Sequence, residues 1–182
     1  MAFSGRIFLF TCLWIASAVC WAQSGPSETS QYKLGPGDVI SIAVLGEDDL
    51  TKSRMRLTDA GTISYPVLGE ITVRGMTVGD LDKFITEGLR GRYLVNPRVL
   101  VTIDEYRPFF INGQVGREGF YPYVPGLTVR KAAIIAGGFK ERASLSKIFI
   151  VRDGDSTNTP VKVDLNAPVY PGDVITVEES FF

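Results

Sequence analysis

Histidine is absent from all 182 residues, which removes the Ser-His-Asp triad, the Cys-His pair and every His-based zinc site. Cysteine is confined to Cys12 and Cys20, so the rest of the chain forms no disulfide, offers no thiolate ligand and must hold itself together by apolar burial. No Gly-Lys-Ser/Thr ends a glycine loop, and Gly35-Pro36-Gly37 lacks the third glycine of a dinucleotide-binding turn. Gly113, Gly116 and Gly119 are spaced by three, but at a strand end rather than a strand-to-helix junction, and read as turn residues. No cofactor and no metal are expected. With 19 basic and 20 acidic residues the formal net charge is −1. Such a balance argues against nucleic acid and against strong electrostatic attachment to anionic lipid. Glu47, Asp48 and Asp49 are the clustered carboxylates and would be the candidates for a glycosidase pair. Adjacent acids on a loop after a strand read as a solvated turn, because nothing nearby in sequence supplies the burial a general acid needs. A non-enzymatic chain is expected.

The N-terminus carries one charge, Arg6, before an apolar run from Ile7 to Val19 that is followed by Ala22, Gln23 and Ser24. The run is short for a membrane span, and its flanks have the layout of a cleaved secretory signal over residues 1–22. Cys20 raises the alternative of a lipoprotein signal, but Val19 before it and the lack of a leucine three positions earlier fit that poorly. Residues 23–31, with Gly-Pro, Ser, Glu and Thr, read as a linker.

Beyond it the periodicity suggests α+β structure in two tandem modules, residues 32–104 and 105–182. Val39 to Val44 and Arg98 to Asp104 alternate as strands. Between them Thr77, as N-cap with Asp80 three residues on, opens a helix whose apolar stripe runs through Val78, Leu81, Phe84/Ile85 and Leu89. Leu57 to Val73 reads as a meander of short strands punctuated by Asp59-Ala60-Gly61, Pro66 and Gly69. In the second half, Phe109 to Val115 is a strand candidate. Thr128 opens a short helix that Gly137-Gly138 ends, one of the two expected in the left-handed C′ position. Lys147 to Arg152, Val161 to Leu165 and Asp173 to Glu178 follow as strands. Sheets curled round one short helix fit a β-grasp.

Two phrases recur. Pro36-Gly37-Asp38-Val39-Ile40-Ser41-Ile42 is answered by Pro171-Gly172-Asp173-Val174-Ile175-Thr176-Val177, and Gly75-Met76-Thr77-Val78 by Gly126-Leu127-Thr128-Val129. Pro-Gly-Asp is a tight turn, in which proline sets φ, glycine accepts positive φ and aspartate is expected to bond the following backbone amides. The doubling suggests two related units joined near Glu105 to Pro108.

These residues resemble the outer-membrane polysaccharide export family of the Wza type. The resemblance opens on Tyr32-Lys33-Leu34-Gly35-Pro36-Gly37-Asp38-Val39-Ile40 and continues through Leu57-Thr58-Asp59-Ala60-Gly61-Thr62-Ile63, Pro66-Val67-Leu68-Gly69, Gly75-Met76-Thr77 and Asn96-Pro97. From Ile111-Asn112-Gly113-Gln114-Val115 through Gly119-Phe120-Tyr121, Pro125-Gly126-Leu127-Thr128-Val129 and Ala136-Gly137-Gly138 to Pro171-Gly172-Asp173 the chain is similar to an SLBB β-grasp domain.

The resemblance implies a periplasmic, outer-membrane-associated protein that tiles into a closed homo-oligomeric ring around a polar lumen for a polysaccharide chain, with an inner-membrane polysaccharide co-polymerase as partner. Long members of the family carry several β-grasp units and a C-terminal membrane-crossing helix. This chain has room for one unit, and Ser180-Phe181-Phe182 cannot span a bilayer, so a separate outer-membrane β-barrel is expected as the exit. A periplasmic binding module that forms no pore is the alternative. Tyr106, Phe109 and Phe110 at the junction are the candidates for stacking on sugar, although core or inter-domain packing is the better reading. Arg90, Arg92 and Arg98 are cations that an acidic polymer would meet, or simply a solvated helix end and strand edge.

Overall fold

The computed structural model describes residues 31–180. The signal, its two cysteines, most of the linker, Phe181 and Phe182 lie outside them.

The described chain is α+β and builds two hydrophobic cores in succession. In the first, β1 (Val39–Val44) is the central strand of a three-stranded antiparallel sheet, flanked by β2 (Lys52–Arg56) and, much later in sequence, by β5 (Val99–Glu105). The inward residues of β1, Ile40, Ile42 and Val44, are buried, as period-two alternation dictates for a strand with one covered face. A separate hairpin of β3 (Thr62–Tyr65) and β4 (Gly69–Thr72) contributes Ile63, Tyr65 and Ile71 to the same core. The expected meander over Leu57 to Val73 is therefore a two-stranded hairpin that does not join the sheet.

The helix α1 (Val78–Leu89) closes this core. Thr77 caps it with a full capping box: the Thr77 hydroxyl accepts from the Asp80 amide at 3.1 Å, and the Asp80 carboxylate accepts from the Thr77 amide at 3.1 Å. Two otherwise orphaned amides are satisfied reciprocally. Leu81, Ile85 and Leu89 are fully buried, whereas Phe84, placed on the stripe by sequence, is 46% exposed. At roughly 100° per residue, Val78, Leu81, Ile85 and Leu89 fall within one narrow sector and Phe84 lies about 100° from its centre. From Leu81 the four-residue step to Ile85 stays facing the sheet, and the three-residue step to Phe84 turns away from it.

The second core is built on five strands in the order β7-β6-β10-β8-β9. These are β6 (Phe109–Gly113), β7 (Gly119–Tyr121), β8 (Ala143–Val151), β9 (Val161–Val163) and β10 (Val174–Glu179). β10 runs parallel to β6, and the other pairings are antiparallel. One short helix, α2 (Val129–Ile135), packs on one face and buries Val129, Ala132 and Ala133 against Phe109, Ile111, Ile148, Ile150, Ile175 and Val177. Small alanines let the helix approach the sheet closely. Thr128 caps α2, and both Gly137 and Gly138 have positive φ, so the stop uses two left-handed residues where one was expected.

A candidate ligand groove between the two modules

The two Pro-Gly-Asp phrases fold alike. In each, the amide of the aspartate donates to the carbonyl three residues back, Asp38 to Gly35 and Asp173 to Tyr170, both at 3.2 Å. Gly37 and Gly172 occupy the third turn position with φ of +90° and +83°. Proline second and a positive-φ glycine third make each a type II turn. The aspartate side chains correct the expectation that they would bond the amides ahead. Asp38 Oδ2 accepts from the Gly35 amide at 2.8 Å and Asp173 Oδ2 from the Tyr170 amide at 2.7 Å, so each carboxylate ties its own turn from behind.

Both carboxylates are buried, at 0% and 1% exposure, and each meets an arginine. Arg107 Nη1 lies 3.0 Å from Asp38 Oδ2, the Arg107 amide donates to Asp38 Oδ1 at 2.8 Å, and Arg152 Nη1 pairs with Asp173. Each guanidinium also lies against a tyrosine ring, Arg107 over Tyr32 at 5.5 Å and Arg152 over Tyr170 at 5.0 Å, within cation–π range. The same assembly of turn, buried aspartate, arginine and tyrosine therefore occurs twice. Arg107 joins the two copies, since its Nη2 reaches Asp153 Oδ2 at 2.7 Å and Asp153 lies beside Gly172.

The space between them is a groove of about 530 Å³, inside the size range of small-ligand sites. Its walls carry Tyr32, Tyr106, Tyr123 and Tyr170, with Arg107, Arg152, Asp153 and Pro171. Tyr106 forms T-shaped pairs with Tyr32 at 5.0 Å and with Tyr123 at 5.2 Å, the geometry that ring quadrupoles favour.

Burial dominates the electrostatics here. It raises the Tyr32 phenol far above its ordinary value, helped by the hydrogen bond to Asp38. Burial also raises the Tyr123 phenol. It pushes Asp173 up as well, against the lowering effects of the Tyr170 amide and Arg152. On Arg107 burial opposes the charge, but Tyr32, Asp38 and Asp153 outweigh it, and the guanidinium stays protonated.

The structure gathers Gly35, Pro36, Gly37, Asp38, Pro171, Gly172, Asp173 and Tyr106 around this junction. Other motif residues lie apart. Asp59 and Gly61 turn the chain into β3, Pro66 and Gly69 flank the β3–β4 turn, and Asn96-Pro97 lead into β5 with Pro97 buried. Gly126 precedes α2, Gly137 and Gly138 follow it, and Gly113 ends β6. Of the three aromatics proposed for sugar, Phe109 is fully buried and stacks on Tyr121 at 6.0 Å, so it belongs to the second core. Phe110 pairs with Phe120 at 4.8 Å and lines no part of the groove. Sequence reasoning missed Tyr32, Tyr123, Tyr170, Arg107 and Arg152. The usable signal was the tyrosine before each Pro-Gly-Asp, six residues ahead of Asp38 and three ahead of Asp173.

Asp48 and Asp49 are exposed on a single 3₁₀ turn, Asp48–Leu50, next to half-buried Glu47, in surroundings unlike the apolar pocket of a general acid. Among the described residues, no group of acidic side chains is placed to hold a metal ion, and no helix is long and apolar enough to cross a membrane.

Comparison with known proteins follows the same division. The family described as "Polysaccharide biosynthesis/export protein" matches residues 26–104, and the SLBB domain matches residues 108–162. The chain is similar to the polysaccharide export family over its first module and to the SLBB domain over its second. In order along the chain, an export domain is followed by an SLBB domain. It is 28% identical over 153 residues to "Exopolysaccharide production protein ExoF" of Rhizobium meliloti (strain 1021), an alignment covering 75% of this chain and 35% of that relative. The chain thus spans about a third of the relative's length.

Proposed function

We propose that this protein is a non-catalytic component of an exopolysaccharide export channel, working in the periplasm against the outer membrane. The observation that carries this reading is the occurrence of both modules in order along one chain, an export domain and then an SLBB domain. Likeness to a protein named for exopolysaccharide production supports it.

The mechanism is one of shape. Identical copies tile into a closed ring, each presenting one surface to its neighbour. The polymer passes through a wet lumen that offers hydrogen-bond partners without holding it strongly at any point. Large apolar side chains left in solvent, among them Val95, Phe120 and Ile134 at 94%, 74% and 65% exposure, supply surface that association would cover. A co-polymerase at the inner membrane feeds the ring, and a separate outer-membrane β-barrel receives the polymer from it.

The test is to image the purified protein by negative stain, alone and with its envelope partners, while measuring secreted polymer in cells that lack it. Closed rings and loss of secreted polymer are expected. A monomer under every condition overturns the ring, and unchanged secretion overturns the export role. Ion conduction by the protein alone in liposomes would remove the need for a separate barrel. The tyrosine-lined groove favours a second reading, a periplasmic glycan-binding module with no pore, and monomers that bind oligosaccharide would select it.

A further inference from the structure

Four of the chain's seven tyrosines line one groove. The other three are committed elsewhere: Tyr65 is buried with its hydroxyl on the Leu50 carbonyl, Tyr93 reaches the Val67 carbonyl, and Tyr121 stacks on Phe109. The concentration is not needed for packing alone, because Tyr170 is 51% exposed. Flat rings set against one another in an open cleft present π faces, negatively charged at their centres. Such faces attract the weakly positive C–H groups on one side of a sugar ring, while its hydroxyls need donors and acceptors at the rim. The rim has both, in Arg152, in Asp153 with its side chain 41% exposed, and in the phenol groups.

Charge narrows the ligand further. Lys33, Arg107 and Arg152 are balanced by Asp38, Asp153 and Asp173 around the groove. Both guanidiniums are already paired with carboxylates. A carboxylate or phosphate bound at these guanidiniums would have to displace Asp153 or face buried Asp173, and a second anion beside a buried one is disfavoured. A neutral ring needs no such exchange.

We propose that the groove between the modules is a binding site for neutral pyranose units of a glycan. It is built jointly by the two Pro-Gly-Asp turns, with Tyr106 and Tyr170 as the stacking surfaces. The idea rests on the polysaccharide reading for its ligand, but it concerns a side pocket of one protomer and requires no ring.

Full-length protein labelled with 3-fluorotyrosine gives one fluorine resonance per tyrosine, assigned by single Tyr→Phe substitutions. The probes are β-1,4-glucotetraose, β-1,3-glucotetraose and β-1,4-galactotetraose, with tetragalacturonate as the anionic counterpart. At least one neutral probe is expected to shift the Tyr32, Tyr106, Tyr123 and Tyr170 resonances saturably and leave Tyr65, Tyr93 and Tyr121 in place. Tyr170→Ala should weaken that affinity roughly three- to tenfold, the range expected for one aromatic contact, and Tyr170→Phe should retain it. No shift with any neutral probe at millimolar concentration overturns the proposal. So does preference for tetragalacturonate, or shifts confined to the other three tyrosines. Because this titration reads the groove and polymer secretion reads the export role, either can fail while the other stands.

Discussion

Gly113 ends β6 with φ of +88°, and a Cβ there would drive into the Val177 carbonyl of the neighbouring strand β10. Alanine at this position meets an unfavourable backbone region and a backbone clash that no side-chain rotation relieves. Gly113→Ala should therefore destabilise the protein by about 2–4 kcal/mol in urea unfolding. The family-motif glycine was legible in sequence as a turn residue, but the parallel partner that makes it indispensable was not, because that strand is more than sixty positions away. The same holds for Arg107. One arginine among many charged residues gives no sign that it will bridge Asp38 in one module and Asp153 in the other. Phe109, for which packing is the preferred reading over sugar contact, does turn inward, because its strand parity faces the helix.

At the scale of single elements, α1 was the most readable, since capping residues and a four-residue apolar spacing are local signals. Thr77→Ala should lower stability by about 1 kcal/mol near neutral pH. Asp80 makes that penalty depend on pH. Its side-chain bond with the Thr77 hydroxyl, and then its bond with the Thr77 amide, hold its pKa below the ordinary value. A depressed carboxylate contributes stability that is fully present above about pH 4 and disappears as pH falls through the folded pKa. Urea unfolding of parent and variant at about pH 7 and about pH 3 should show the gap between them shrinking on the acid side. β2 was invisible for a matching reason. Lys-Ser-Arg-Met-Arg has no apolar alternation, Arg54 has φ of +53°, and the ladder to β1 is irregular there. Edge strands of this kind are specified by their partner rather than by their own pattern.

Across the whole molecule, the order of modules could be read before the structure was known, because turn motifs keep their spacing along the chain. Their mutual geometry could not, since it depends on side chains that meet only after both have folded. Each module has its own core, and the contact joining them includes a buried carboxylate. Removing the guanidinium in Arg107→Ala leaves Asp38 without its cationic partner, at a cost on the order of 3 kcal/mol. Calorimetry should resolve two melting transitions in this variant where the parent shows one. A single unaltered transition would mean that the two cores melt together for some other reason.

Because its walls come from two separate stretches of chain, the cleft at the junction exists only while both halves are seated. Expressed apart, each half would carry two of the four phenolic rings that Tyr32 and Tyr106, or Tyr123 and Tyr170, provide if the cut falls after Tyr106. A chimera that exchanged one half for that of a relative would have to bring matching partners for Asp38 and Asp173 to rebuild it. Recognition in this protein would then be inherited as a pair of turns, and neither half could diverge at that seam without the other.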